Sequence, residues 1–215
     1  MHSEVISISS SNDNGLCEAS SWRSRCAADD ANLIRQCGRG DKDALKELAQ
    51  RYESPLFRFL LHQMGSVEDA EEAVLEVFVR VWLHAGSFRF QASVSTWLYR
   101  IAANIARDAY DRRKARPQTA PPDAYDLARH AVGDAAAEAM ERLESADRSR
   151  ILQQALALLD ANDRLVLVLY YLEERDYKEM QTITGWIYPV LKTRLVRARV
   201  RLRGRMKELG FEAIL

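Results

Sequence analysis

The 215-residue sequence predicts an all-α protein with two small helical domains, residues 28–116 and 150–215, joined by an acidic linker, residues 117–149. Apolar residues recur with the period of an α-helix in both domains, and no stretch alternates with period two for long enough to require a sheet. The linker carries three of the five prolines, which end helical continuity. The hydrophobic fraction of 47% is typical of a folded globular protein. Because charges interrupt every apolar run, we expect no membrane span.

The first 27 residues are rich in serine and asparagine and lack helical periodicity, so we expect residues 1–27 to form a mobile tail. They also lack the basic start and apolar centre of a secretion signal, which predicts a cytoplasmic protein. Cys17, Cys26 and Cys37 are odd in number, and their spacing does not match a compact metal site. We therefore interpret them as ordinary thiols, and we expect neither a metal nor a cofactor.

The first domain is predicted to open with a short helix that Asp29 or Asp30 caps and that ends near Gly38. A longer helix follows, and Gly65 is placed to end it. Proline removes an intrahelical hydrogen bond, so we expect Pro55 to interrupt this helix and to leave a kink.

The next helix has the strongest periodicity in the chain. Its apolar residues recur three and four positions apart, which places them in one stripe, and Ser66 can cap its start. A loop over residues 86–95 leads to a further helix with an apolar side of its own. The first stripe consists of Ala70, Ala73, Val74, Val77, Phe78, Val81 and Trp82.

Charge is segregated along the chain, although 31 basic and 31 acidic residues give a net charge of zero. Between Pro117 and Asp147 there are seven acidic residues and two arginines, whereas between Lys178 and Lys207 there are nine basic residues and one glutamate. Two basic regions separated by an acidic spacer are typical of a protein that binds a polyanion. The second basic region, just before the linker, contains Arg107, Arg112, Arg113, Lys114 and Arg116.

The basic C-terminal region has the layout of a helix-turn-helix. Tyr177, Met180 and Ile183 form the apolar face of a short helix, and Gly185 supplies the turn. Pro189 suits the first turn of the following helix, because the N–H that proline lacks would be unpaired there. In a helical projection, the residues predicted to face the core are Leu191, Leu195, Ala198 and Leu202.

The opposite face of this last helix predicts contact with the major groove of DNA. Arg197 and Lys192 can donate to guanine edges, Val196 can touch a thymine methyl group, and other arginines can reach phosphates. The alternative, a solvated basic helix that only aids solubility, does not explain why the glycine turn and the one-sided charge coincide. The residues predicted to bind duplex DNA are Lys192, Thr193, Val196, Arg197 and Arg199.

Motifs in both domains resemble those of bacterial sigma factors. In the first domain, which resembles the second conserved domain of those proteins, they are Asp69-Ala70-Glu71-Glu72, Glu76-Val77-Phe78-Val79-Arg80-Val81-Trp82, the run from Ser95 to Asn104, and Asp108. In the second domain, which resembles their fourth, they are Tyr177-Lys178-Glu179-Met180, Gly185, Lys192-Thr193-Arg194-Leu195 and Arg197-Ala198-Arg199. The match is closest to the extracytoplasmic-function class (group IV) of the sigma-70 family, and it spans about residues 29–209.

The resemblance implies a transcription initiation factor, not itself an enzyme. Such a factor binds core RNA polymerase, recognises the −35 and −10 promoter elements and opens the duplex at the second one. An anti-sigma factor is a further partner that the family leads us to expect. The residues that match the polymerase-binding helix are Asp69, Glu72, Glu76 and Arg80. Leu75 departs from the pattern, since glutamine is common there, and this change is expected to weaken one contact with the polymerase.

The loop from Phe88 to Thr96 and the helix after it match the segment that reads the −10 element in the family. Unstacked bases need aromatic surfaces and cationic groups, and this segment supplies both. The alternative role of Trp97 is that of a buried core residue. The alternative role of the basic residues at the end of the helix is to stabilise its C-terminus, where the helix dipole favours positive charge. The residues assigned to −10 single-strand and phosphate contacts are Phe88, Phe90, Ser95, Thr96, Trp97, Tyr99, Arg100, Asn104, Arg107, Arg112 and Arg113.

Two other functions compete with this one. A one-component helix-turn-helix transcription regulator would use the same C-terminal helix, but it predicts dimers on palindromic sites and leaves the second basic region, beside an aromatic loop, unexplained. A scaffold of packed helices would make both basic faces incidental. A hydrolase is least favoured, because no nucleophile motif or phosphate-binding glycine loop is present.

Overall fold

The computed structural model describes residues 29–115 and 150–210. Within those ranges all regular secondary structure is helical, which confirms the predicted all-α fold. The predicted tail, the whole linker, and Cys17 and Cys26 lie outside the described residues. None of the helices in the described part is long and apolar enough to cross a bilayer.

Four helices form the first group. Helices α2, α3 and α4 pack against one another. Asp41 caps α2 by accepting hydrogen bonds from the backbone N–H groups of Asp43 and Ala44, and Ser66 caps α3 through the N–H of Asp69. The helices are α1 (29–37), α2 (Lys42–Met64), α3 (Val67–His84) and α4 (Val94–Ala115), and a 3₁₀ turn, Ala85–Ser87, follows α3.

The predicted interruption at Pro55 is wrong, since α2 is one helix that contains this proline. The residues that follow it, Leu56, Phe59 and Leu60, are completely buried in the core. Tertiary packing of an amphipathic face contributes more to helix stability than any single intrahelical hydrogen bond, so α2 tolerates the one that proline removes. Gly65 ends the helix as predicted, in the left-handed conformation with φ +74°.

The second group contains the predicted helix-turn-helix. Gly185 makes the turn with φ +76°, a conformation that glycine adopts without steric cost. Asp163 on α6 is buried and bonds to Arg194 and Arg201 of α8, which ties the last helix to the rest of the group. The described elements are α5 (150–157), α6 (Ala161–Leu167), a π-helical turn (Val168–Leu172), α7 (Tyr177–Thr184) and α8 (Tyr188–Glu208).

The two groups lie against each other, with α7 packed on α4. The buried guanidinium of Arg164 donates to the carbonyls of Leu156 and Leu159 in its own group and to that of Gln63 near the C-terminal end of α2. Carbonyls at helix C-termini carry partial negative charge and so stabilise a buried cation. Arg164 therefore joins the two groups through the backbone.

Candidate functional site

The polar side of α3 carries the four residues predicted to bind the polymerase, but most of them already have partners. The carboxylate of Asp69 lies 2.5 Å from Arg113 of α4. Glu76 lies 2.5 Å from Arg80, and Arg80 is 3.8 Å from Asp108 of α4. Glu72 is exposed. The structure thus brings a residue assigned to the polymerase, Asp69, into contact with one assigned to DNA, Arg113.

An exposed apolar stripe runs along the same helix, and sequence reasoning missed it. Leu75, Val79 and Leu83 are 69%, 57% and 69% exposed, and their spacing of four residues places them in one row. The sequence did contain a sign of this surface, because these three apolar residues lie outside the stripe of α3 that was predicted to be buried. Leu75, interpreted above as a weakened polar contact, is therefore part of an apolar surface bordered by Glu72 and Glu76.

The loop between α3 and α4 is organised around stacked aromatic rings. The Phe88 ring stacks on Trp97 with centroids 4.7 Å apart, and the Phe90 ring meets Phe88 edge-on at 4.8 Å. Trp97 is half-buried and packs against the core, so part of its ring has the core position given above as its alternative role. Phe90 has φ +55°, which is rare for an aromatic residue, and it stays 39% exposed.

Three other residues assigned to the −10 element face the second group of helices. Ser95 Oγ accepts a hydrogen bond of 2.8 Å from Arg175, and Thr96 Oγ1 donates one of 3.2 Å to Glu179. The Tyr99 hydroxyl donates to the carboxylate of Glu173, and the Arg175 guanidinium lies 4.3 Å from the centroid of the Tyr99 ring. In this arrangement the second group covers all three side chains.

Burial shapes the electrostatics of this contact. Removal from water raises the pKa of Glu173, and the tyrosine hydrogen bond and Arg175 oppose that change. The pKa of Tyr99 is raised, first by burial and then by Glu173. The paired groups are fixed at the start of α4 and just before α7, so they hold two structural elements together.

The remaining −10 candidates lie along α4 at different depths. Arg100 and Arg112 are exposed, whereas Asn104 and Arg107 are half-buried. Arg100, Asn104 and Arg107 are spaced for one helical face, as a strand-binding surface requires. One guanidinium nitrogen of Arg107 is buried and has no hydrogen-bond partner among the described residues.

The exposed face of α8 has the composition predicted for DNA contact. The exposed polar residues of this face are Lys192, Thr193 and Arg197. The same face also exposes two apolar side chains, Val196 (52% exposed) and Val200 (67% exposed). The opposite face is buried as predicted, with Leu191, Leu195 and Ala198 in the core and Leu202 partly buried against it.

Arg199 differs from the other basic residues of α8. Its guanidinium lies 5.6 Å from the ring centroid of Tyr170 and 5.4 Å from that of Tyr171, so it is directed toward the π-helical turn. Tyr188, at the start of α8, is 44% exposed and packs edge-on against Tyr177. Its position at the N-terminal end of the recognition helix makes Tyr188 a candidate for base contact that sequence reasoning left out.

No group of three or more potential metal ligands is present among residues 29–115 and 150–210. Cys37, the last residue of α1, is buried, and burial raises the pKa of its thiol, with a further contribution from Asp41. A buried thiol with a raised pKa is unreactive.

Comparison with known proteins gives matches over both helical groups. The family model for sigma-70 region 2 matches residues 48–116, and the model for sigma-70 region 4 matches residues 149–202. The ECF RNA polymerase sigma factor SigW of Bacillus subtilis is 29% identical over 182 residues, which cover 82% of this chain and 96% of SigW. SigM of Mycobacterium tuberculosis is 29% identical over 188 residues, covering 87% of this chain and 90% of SigM.

Solved structures share the fold. CnrH, in complex with the cytosolic domain of CnrY, aligns with a TM-score of 0.58 and 22% identity over 84% of this chain and 98% of CnrH. The sigma factor RpoE of Bartonella quintana, in complex with the anti-sigma factor NepR, aligns with a TM-score of 0.55 and 20% identity over 78% of this chain and 98% of RpoE. With region 2 and region 4 matched in that order by family models, and with sigma factors as its curated relatives, this chain belongs to the extracytoplasmic-function class of the sigma-70 family.

Proposed function

We propose that this chain is a transcription initiation factor that binds core RNA polymerase, directs it to specific promoters and helps to melt the −10 element. The observation that supports this most is the pairing of two surfaces in one chain: an aromatic loop with a basic helix in region 2, and an exposed basic recognition helix in region 4. The factor contributes no enzymatic step of its own. It acts in the cytoplasm, where the polymerase and the promoter DNA are found.

The outer face of α3 is the proposed contact with the polymerase. Its exposed apolar row, Leu75, Val79 and Leu83, offers area to bury, and the neighbouring carboxylates offer charge complementarity for a basic partner. The ion pair between Asp69 and Arg113 is partly exposed, so a partner's cation can replace the arginine at small cost.

The exposed face of α8 is the proposed reader of the −35 element. Arg197 and Lys192 donate to base edges, Val196 and Val200 contact thymine methyl groups, and Thr193 completes the row. Arg199 stays against the tyrosines and contributes to the phosphate-facing edge of the helix.

The loop and α4 are the proposed reader of the −10 element. Phe88, Phe90 and Trp97 provide a rigid aromatic surface for unstacked bases. Ser95, Thr96 and Tyr99 reach DNA only after region 4 moves away from α4, because Glu173, Arg175 and Glu179 cover them here. We therefore propose that residues 28–116 and residues 150–215 form two domains that can move relative to each other.

An anti-sigma factor is a proposed second partner. RpoE, which shares this fold, was solved in complex with the anti-sigma factor NepR, and CnrH was solved in complex with the cytosolic domain of CnrY. In this chain, the exposed row on α3 is available to such a protein, and its occupation would exclude the polymerase.

Gel filtration of the purified chain with sigma-free bacterial core RNA polymerase tests the proposal. We expect co-elution at a fixed stoichiometry. The double variant Asp69→Ala with Glu76→Ala is expected to co-elute at least tenfold more weakly, which corresponds to about 1.4 kcal/mol. The control is the double variant Asp43→Ala with Glu53→Ala, which removes two exposed carboxylates from α2 instead of α3 and should co-elute as the wild type does.

The proposal would be wrong if the wild-type chain did not co-elute with the polymerase, either at full length or after removal of residues 1–27. Normal assembly of the double variant would leave the function standing but remove α3 from the interface.

A further inference from the structure

Helix α1 lies directly against the turn that leads into the aromatic loop. A Cβ atom added at Gly38 would lie 2.9 Å from the Cα of Gly86, so the two backbones touch. Gly86 is in the 3₁₀ turn Ala85–Ser87, and Phe88 follows that turn at once. The region 2 match begins at residue 48, so α1 is outside it. The close approach therefore adds to the loop an element that the family match does not include.

A second contact fixes the other side of α1. The carboxylate of Asp30, which is almost completely buried, lies 3.0 Å from Arg51 and accepts a hydrogen bond of 2.5 Å from the hydroxyl of Tyr52. Asp30 is thus committed to α2 and does not neutralise the cations on the loop side of α1. With both anchors in place, the helix has a defined orientation relative to the loop.

Arg35 projects from α1 onto the loop. Its guanidinium carbon lies 4.5 Å from the centroid of the Phe90 ring, which is the geometry of a cation–π contact. Arg35 is exposed, and so is 39% of Phe90. The backbone of Phe90 has an unusual conformation, with φ +55°, and the guanidinium of Arg35 lies over its ring.

This pairing suits a single nucleic-acid strand. A guanidinium that stacks through its face keeps its N–H groups free in the plane to donate to a phosphate. An exposed ring beside it offers a surface for a base, and proteins that bind single strands combine these two features. Arg89, next to Phe90, and Arg39, just beyond Gly38, are also exposed and add positive charge.

We propose that α1 extends the −10 surface, with Arg35 binding a backbone phosphate of the separated DNA strand and holding Phe90 in place to stack on a base of that strand. The occupant is single-stranded DNA, because it alone among the proposed partners presents a phosphate and an unstacked base together. This inference rests on the proposed function. It adds a DNA contact from outside the matched region 2.

The test uses holoenzyme reconstituted from the full chain and sigma-free bacterial core polymerase. Fluorescence anisotropy measures its affinity for a labelled, random-sequence DNA strand of about 12 nucleotides over a series of salt concentrations. We expect Arg35→Ala to weaken binding about three- to tenfold and to reduce the slope of log K against log salt by about 0.7, the loss of one phosphate contact. Arg35→Lys should keep the slope but regain only part of the affinity, because lysine restores the charge without the planar stack.

Arg58→Ala is the matched control. It also removes one exposed arginine from the first group of helices, but Arg58 bonds to Ser54 on its own helix α2. Arg58→Ala should leave the salt slope unchanged, and thermal melting should show that all three variants are folded. If Arg35→Ala binds like Arg58→Ala, the proposed role of α1 is wrong while the function stands. If wild-type holoenzyme binds the strand no better than core polymerase alone, the −10 assignment itself fails, and the role of Arg35 fails with it.

Discussion

Arg197 and Arg199 lie two residues apart on α8, yet the structure gives them different surroundings. Arg197 is exposed on the face with Val196 and Val200, whereas Arg199 lies over the rings of Tyr170 and Tyr171. A count of charges along the sequence treats the two arginines alike, because it does not show which other side chains contact each guanidinium. At the scale of single residues, their neighbours therefore decide their roles.

Replacing these two arginines one at a time should separate the roles. We expect Arg197→Ala to reduce discrimination of the −35 element by about 1–3 kcal/mol and to leave polymerase binding intact, because it removes a donor to base edges. Arg199→Ala should instead lower the free energy of unfolding by about 0.5–1 kcal/mol, through loss of the cation–π contacts. Competition binding with promoter fragments, paired with thermal melting, measures both. Equal effects of the two variants on discrimination would contradict the assignment.

His62 provides a prediction about pH. This imidazole on α2 is partly buried, and its Nδ1 lies 2.5 Å from Gln153 Nε2 of α5. Burial lowers the pKa of His62 below its ordinary value of 6.5; the hydrogen bond between His62 and Gln153 opposes this change, and Arg58 adds to it. A protonated imidazole is therefore favoured more in the unfolded chain than in the folded one. The stability that His62 contributes is present above pH 6.5 and is lost as the pH falls below that value.

The measurement is the free energy of unfolding of the wild-type chain and of His62→Gln across this pH range. We expect the wild type to lose more stability on acidification than the variant, whose side chain does not titrate. Parallel curves for the two proteins would show that the folded structure does not disfavour the charged form of His62.

At the scale of elements, close contact between backbones decides where the loop lies. The turn after α3 comes this close to the end of α1 because Gly38 lacks a Cβ atom, whereas a Cβ atom at Gly86 would lie no closer than 3.7 Å to Gly38. Sequence patterns show that Gly38 ends a helix, which is correct, but they do not reveal what approaches it. The contact sets the position of α1 and hence of Arg35 relative to the aromatic loop.

Alanine at two glycine positions should have opposite effects. Gly38→Ala places a methyl group 2.9 Å from the backbone of Gly86 and should lower the free energy of unfolding by about 1–3 kcal/mol. Gly204→Ala, inside α8, meets nothing within 4 Å and should raise it by about 0.5–1 kcal/mol, because alanine favours the helix. Denaturant unfolding of both variants measures this. A stable Gly38→Ala protein would mean that α1 shifts without cost.

At the scale of the whole molecule, the same residues hold regions 2 and 4 together and are proposed to bind DNA. Arg175 bonds to Ser95 and Glu179 and lies over Tyr99, so it contacts both regions. The −10 surface and the closed arrangement therefore compete for Ser95, Thr96 and Tyr99. In the proposed function, separation of the two regions precedes full contact with the −10 element.

Arg175→Ala should shift the molecule toward separated regions. Removing one partner from a partly buried network leaves the others without their hydrogen bonds, and we expect a loss of about 1–3 kcal/mol from the pairing of the two regions. Small-angle scattering should show a larger radius of gyration while circular dichroism shows unchanged helical content. Arg205→Ala is the control, since Arg205 bonds to Glu208 on its own helix and should leave the radius unchanged. An unchanged radius for Arg175→Ala would show that other contacts suffice.

The sequence by itself determined the all-α fold, the family and the buried face of each long helix. These features depend on local rules: apolar residues at helical spacing, caps such as Ser66, and the left-handed turn at Gly185. Local rules failed at Pro55, where burial of the residues that follow keeps α2 continuous. In that case packing stabilises the helix more than the lost hydrogen bond weakens it.

Only the tertiary structure decided which candidate side chains are available. Asp69 pairs with Arg113, Tyr99 is covered by Glu173 and Arg175, and Arg35 stacks on Phe90. Each pair joins residues far apart in the chain, and spacing along one helix has no information about a second helix. A residue type predicts what chemistry a side chain can perform, but the partners that folding brings to it decide whether that chemistry faces solvent.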